Sequence, residues 1–213
     1  MTPARALGAG ILLTATAGFC DGVGFLALGR FYTSFMSGNT TQLGASLAIG
    51  DAGVALLAGS LVVLFFIGSF LGSLGAQSST RFGPVVALGI VLAGLAVSLL
   101  LTSTGFGAAQ SMLALAAAAG AQNAVLQPIG AARLGTTFVT GTLFAAGQDL
   151  ARATLRAAPR WRWLQHLLVW AALAAGALMG ALAYGRWEML ALIIPAAIYA
   201  ACLIWFLVRP QKA

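Results

Sequence analysis

Long apolar stretches separated by short polar breaks run along the whole chain. Six of them, at about 6–29, 53–75, 84–103, 107–131, 164–185 and 188–208, each hold the roughly 20 residues that a helix needs to cross about 30 Å of hydrocarbon. Two more, 33–50 and 136–150, are shorter. Each opens on a polar, glycine-containing cluster, Ser37-Gly38-Asn39-Thr40-Thr41 in the first and Thr140-Gly141-Thr142 in the second. The pattern predicts an all-α integral membrane protein, 1–213 forming a single membrane domain, with about six transmembrane helices and two short re-entrant or half-helix segments.

Composition narrows the class. Apolar residues make up 61% of the chain and charged residues 7%, which excludes an ordinary soluble domain. Eleven basic residues face four acids, and on a membrane protein such an excess reads as cytoplasmic loops rather than as a nucleic-acid surface. With six spans and a cytoplasmic N-terminus, Arg5, Arg81, Arg133, Arg152, Arg156, Arg160, Arg162, Arg209 and Lys212 lie inside, and only Arg30 and Arg186 outside. Eight spans move Arg81 and Arg133 outside and weaken the bias, so six is the expected number, with both termini cytoplasmic. The segment 151–163, with four arginines around Pro159, Trp161 and Trp163, is the expected basic cytoplasmic loop, its arginines meeting anionic headgroups.

The two short segments align with each other. Arg30-Phe-Tyr-Thr-Ser-Phe-Met-Ser-Gly38 lies on Arg133-Leu-Gly-Thr-Thr-Phe-Val-Thr-Gly141 without gaps, and upstream Ala17-Gly18 with Asp21 faces Ala119-Gly120 with Asn123. The chain therefore divides into repeat one, 6–103, and repeat two, 107–208. Three full crossings per repeat oblige the second copy to enter from the opposite side, a 3+3 inverted-topology repeat of the kind secondary transporters use, with sites at the repeat interface.

The residues expected to line such a site are Asp21, Ser37, Gly38, Asn39, Thr40, Asn123, Gln127, Thr140, Gly141 and Thr142. Hydroxyls, amides and a helix beginning inside the bilayer all offer hydrogen bonds and a positive dipole end to a solute. Asp21 is the acid placed well inside a span, where a carboxylate is costly enough to be paired, protonated or working. Arg30 and Arg133 are its candidate partners or anion ligands, and Asn39 and Asn123 are others. Asp51, Asp149 and Glu188, at segment ends, read as caps or partners of nearby arginines. Gly-x-x-x-Gly spacings at Gly18 and Gly22, Gly68 and Gly72, and Gly176 and Gly180 read as close helix packing, which would also permit a homodimer. Cys20, Cys202 and the isolated His166 show no ligand spacing. No metal or cofactor is expected, and no Ser-His or paired-acid constellation points to an enzyme.

The stretch from Gly18 to Gly29, Gly-Phe-Cys-Asp-Gly-Val-Gly-Phe-Leu-Ala-Leu-Gly, followed by Ser-Phe-Met-Ser-Gly-Asn-Thr-Thr from Ser34 to Thr41, closely resembles the signature of the YoaK-like family of bacterial membrane proteins, domain of unknown function 1275. The resemblance covers essentially the whole chain and implies a multi-pass protein of the bacterial inner membrane. Taken with the repeat, the expected function is movement of a small polar or anionic solute, coupled to protons or sodium ions. A passive channel and a structural membrane protein without transport are the alternatives.

Overall fold

The computed structural model describes residues 4–78, 82–125, 139–157 and 159–208. Among them the order is α1 (Ala4–Ala27), α2 (Met36–Ile49), α3 (Ala52–Ser78), α4 (Gly83–Ser103), α5 (Ala108–Gln122), α6 (Val139–Thr154), α7 (Arg162–Trp187) and α8 (Ile193–Val208), with a 3-10 turn over Glu188–Leu192 between the last two. Strands are absent among the described residues. Among the described residues four stretches are long and apolar enough to cross a membrane: Leu7–Ala27, Ala52–Ser78, Gly83–Ser103 and Arg162–Val208. The last has 47 residues, about 70 Å if it were one helix, and it breaks at Glu188, whose φ is 49°.

Helix pairing follows the small residues. On α1, a Cβ at Gly18 or Gly22 would strike the carbonyls of Leu173 and Ala177 on α7; on α7, one at Gly176 or Gly180 would strike those of Ala15 and Phe19. Residue numbers rise together on the two helices, so they run parallel, backbone against backbone. Helices α3 and α5 pack in the same way: Gly68 and Gly72 meet Ala117 and Ala121, and Gly120 meets the Phe65 carbonyl. In lipid, where apolar side chains gain little by meeting each other, such close approach lets dispersion and weak backbone contacts hold helices together. Each of the three glycine spacings marked in the sequence lies at one of these crossings.

Larger side chains fill the space beside them. Val23, Leu61, Leu88, Leu95, Met112, Leu115 and Leu192 are fully or almost fully buried, whereas α3 turns Leu56, Phe66, Phe70 and Leu74 outward. Apolar residues on both inner and outer faces suit a helix between protein and lipid.

The two short helices each pair with the long helix that follows. Gly50, in the left-handed region at φ 76°, ends α2, and the Asp51 N–H reaches the Ser46 carbonyl at 2.9 Å in a glycine-ended cap. Asp51 then caps α3, accepting from the Val54 N–H at 3.0 Å. This tight turn lays α2 back along α3. Helix α6 runs antiparallel to the first half of α7: its end carries Asp149 against Arg162 and His166, and its start carries Thr140 and Leu143 to the cavity bordered by Trp170 and Leu173. The basic segment 151–163 is helical at both edges, because α6 continues to Thr154 and α7 begins at Arg162.

Candidate functional site

Beyond Ala27 the chain leaves α1 through Gly29 and Arg30, both at positive φ (64° and 81°), with the Arg30 N–H bonded to the Phe25 carbonyl at 2.8 Å. Glycine adopts this conformation freely, and here it reverses the chain so that residues 31–35 return alongside α1. Gly24 has room only for the Thr33 methyl.

A loop returning beside a membrane helix must satisfy its own backbone, since hydrocarbon offers no partners. Asp21 does so for one stretch. Its Oδ1 accepts from the Thr33 N–H (2.8 Å), the Thr33 hydroxyl (2.8 Å) and the Ser34 N–H (2.7 Å), and its Oδ2 accepts from the Ser34 hydroxyl. Asn39 does so for the next. Its side-chain oxygen accepts from the Tyr32 N–H at 3.1 Å, and its amide donates to the Tyr32 carbonyl at 2.7 Å. Gln42 donates to the Arg30 carbonyl at 2.8 Å. Packing completes the loop: Phe25 and Tyr32 have ring centroids 5.3 Å apart, and Tyr32 and Phe35 5.2 Å.

The loop, the end of α1, the start of α6 and the middle of α7 border a cavity of about 600 Å³. Its wall contains Asp21 and Ser34 from the first half of the chain and Thr140 from the second, set among Phe25, Tyr32, Phe35, Leu143 and Trp170.

The sequence-marked residues fall into three groups. Asp21 and Thr140 share the cavity wall. Others are engaged locally: Asn39 is wholly buried against its own loop, and Gly38 lies under the Phe35 and Tyr32 rings. Thr40 donates to the Met36 carbonyl from an exposed position on α2, where Ser37 is also exposed. Thr142 donates to the Val139 carbonyl, Gly141 is exposed, and Asn123 ends α5 with its amide on the Ala119 carbonyl at 3.2 Å. Gln127 and Arg133 lie outside the described residues. Arg30 is exposed, and among the described residues the hydrogen-bond partners of Asp21 are the hydroxyls and N–H groups of Thr33 and Ser34, where the sequence offered an arginine or an asparagine.

One cluster escaped the sequence reading, and a second, around Asp149, fulfils the expected pairing of that acid with nearby arginines. Gln122, Tyr199 and the Leu13 carbonyl join α5, α8 and α1: the Tyr199 hydroxyl donates to the Gln122 oxygen at 2.5 Å, and the Gln122 amide donates to Leu13 at 2.8 Å. Asp149 receives the Arg162 guanidinium on both oxygens (2.6 and 2.5 Å), with His166 at 3.3 Å and Arg152 at 3.8 Å. The Arg162 hydrogen bonds hold the Asp149 carboxyl below its ordinary value. A lone acid thirteen residues before an arginine, across a helical hairpin, was the available signal. The cavity's aromatic walls carried none, because aromatic residues in an apolar stretch look like any other lipid-facing or packing residue.

Comparison with known proteins gives the family. Residues 9–205 match the model of a family described as protein of unknown function (DUF1275). The chain is similar to the UPF0700 transmembrane protein RA0705 of Rhizobium meliloti (strain 1021), at 35% identity over 182 residues, 84% of this chain and 76% of that one. No solved structure matches. Long apolar helices, a transmembrane relative and a family match over almost the whole length lead to one conclusion: the chain is a multi-pass membrane protein belonging to the DUF1275 family.

Proposed function

We propose that this protein carries a small solute across the bacterial inner membrane, using two halves of opposite orientation with the cavity between them as the site. One observation carries the reading, the equivalence of the two parallel helix crossings. Moving 102 residues along turns Ala15, Gly18 and Phe19 of α1 into Ala117, Gly120 and Ala121 of α5, and moving 108 turns Phe65, Gly68 and Gly72 of α3 into Leu173, Gly176 and Gly180 of α7. Each of the three α3–α5 contacts, Gly68 on Ala117, Gly72 on Ala121 and Gly120 on Phe65, then has its counterpart between α7 and α1. The first offset is the one that aligns Ala17-Gly18 with Ala119-Gly120 in the sequence.

Further support comes from polarity rather than length: α2 and α6, at 14 and 16 residues, are the least apolar of the eight described helices, whereas α5 and α8, at 15 and 16 residues, belong to the apolar stretches 107–131 and 188–208, each with the roughly 20 residues a crossing needs. The start of α6 lies beside the middle of α7. Each half then consists of three spans and one half-helix: α1, α3 and α4 with α2, then α5, α7 and α8 with α6. An odd number of spans per half would invert the second and bring residues from both halves to a midplane site; with the arginine excess inside, Arg160 and both termini would be cytoplasmic.

The bonds from the loop to Asp21 favour a second reading, in which that carboxylate only fixes the loop and the protein is a structural component of the membrane. Reconstitution separates the two. In proteoliposomes with an imposed proton or sodium gradient, transport predicts accumulation of at least one solute class from a panel of labelled cations, neutral polar molecules and anions, abolished in Trp170→Ala. Folded protein that moves none of them supports the structural reading.

A further inference from the structure

Resting on the transport reading, we infer that the cavity takes an amphipathic organic cation, an aromatic or alkyl ammonium-type molecule, held by Asp21 and by aromatic faces. The described lining offers one carboxylate, the aliphatic hydroxyls of Ser34 and Thr140, and four aromatic residues, of which Tyr32 adds a phenol, the rest being aliphatic or glycine. That combination suits positive charge attached to apolar bulk. Aromatic faces attract cations through the ring quadrupole, more strongly where water is excluded, and a buried carboxylate is stabilised by a cation beside it.

Asp21 keeps capacity for such a ligand. Three of its four donors fall on Oδ1 and one on Oδ2, and a carboxylate oxygen has two lone pairs, so Oδ2 retains an acceptor direction. The ring series Phe25, Tyr32, Phe35 comes from α1 and the loop, with Trp170 on α7 forming part of the same wall. Access matches the ligand's character. Leu26, Phe35, Leu143 and Trp170 are 47%, 40%, 46% and 42% exposed, an apolar rim through which a molecule already partitioned into the bilayer would enter. A volume of about 600 Å³ lies in the range of small-molecule sites.

The test uses two probes of the same shape and opposite charge, tetraphenylphosphonium and tetraphenylborate, titrated calorimetrically into the purified full-length protein. The cation is expected to bind about ten-fold or more tightly than the anion, and Asp21→Asn and Trp170→Ala are each expected to weaken it by about ten-fold. Asp149→Asn, outside the cavity, should leave it unchanged. If Asp21→Asn does not fold, Trp170→Ala and the cavity-filling Ala177→Phe carry the same expectation. Equal affinity for both probes, binding untouched by the cavity variants, or no binding overturns the inference. Cation binding without flux in proteoliposomes would sink the transport reading alone, and flux of other solutes without cation binding would sink this inference alone.

Discussion

Thr33 gives both its backbone N–H and its hydroxyl to the same oxygen of Asp21, each at 2.8 Å, across twelve residues of chain. With the parallel pair from Ser34, this makes a single carboxylate the fixed point of the loop between α1 and α2. Asp21→Asn replaces one accepting oxygen with a donor that faces donors. We expect a loss of about 2–4 kcal/mol, since buried partners are left unsatisfied, and about 1 kcal/mol for Ser34→Ala. Thermal unfolding in detergent measures both. If the hydroxyl acts through Asp21, the Ser34→Ala effect should largely vanish in the Asp21→Asn background.

The glycine crossings make a contrast within one residue type. Gly176→Ala and Gly68→Ala drive a methyl into the carbonyls of Ala15 and Ala117 and should each lower the melting temperature clearly. Gly89→Ala and Gly147→Ala, helical positions with open space around the new methyl, should be neutral or stabilising by up to about 1 kcal/mol. Equal effects at all four would remove the glycines from the account of helix pairing.

Acid should expose the Asp149 latch. Its carboxyl is held below the ordinary value of 3.8 by Arg162, so its contribution is fully present above that value and is lost as pH falls through the lower folded-state value. Asp149→Asn should therefore be less stable than the wild type at about pH 5 and above, and the gap should close below about pH 4. Melting curves across that range give the answer, and a gap that widens with acid would assign the stabilisation elsewhere.

Tyr199→Phe removes the hydroxyl donated to Gln122, where both side chains are buried. The expected loss is about 1–2 kcal/mol, read as a shift in thermal unfolding. An unchanged melting temperature would mean that this bond between α5 and α8 contributes nothing net.

Much of the fold was legible because bilayer physics leaves few options. The apolar stretches 53–75, 84–103 and 164–185 became α3, α4 and α7 with only small changes at their ends, and the short stretches became helices over Met36–Ile49 and Val139–Thr154. The basic segment was less legible: Ala151, Arg152 and Ala153 are good helix formers, so α6 runs into it, and Arg162 is turned toward Asp149 by a hairpin that composition does not encode. At the site, Asp21 stood out as an acid inside a span, but its partners did not. Thr33 sits in, and Asn39 of α2 bonds to, a loop that must satisfy its backbone internally, so their polarity serves the loop first, and sequence cannot distinguish that role from ligand binding. The aromatic wall assembles from Phe25, Tyr32, Phe35 and Trp170, residues up to 145 positions apart, a grouping that only the tertiary fold creates.

The opposed orientation of the two halves is the claim on which the rest depends, and the turns after α2 and α6 test it most directly. With Cys20 and Cys202 replaced by alanine, single cysteines at Ile49 and Arg160 are labelled in intact cells with a membrane-impermeant maleimide. Opposed halves predict that residue 49 reacts from outside while residue 160 reacts only after the membrane is opened. Labelling of both from the same face would contradict the account.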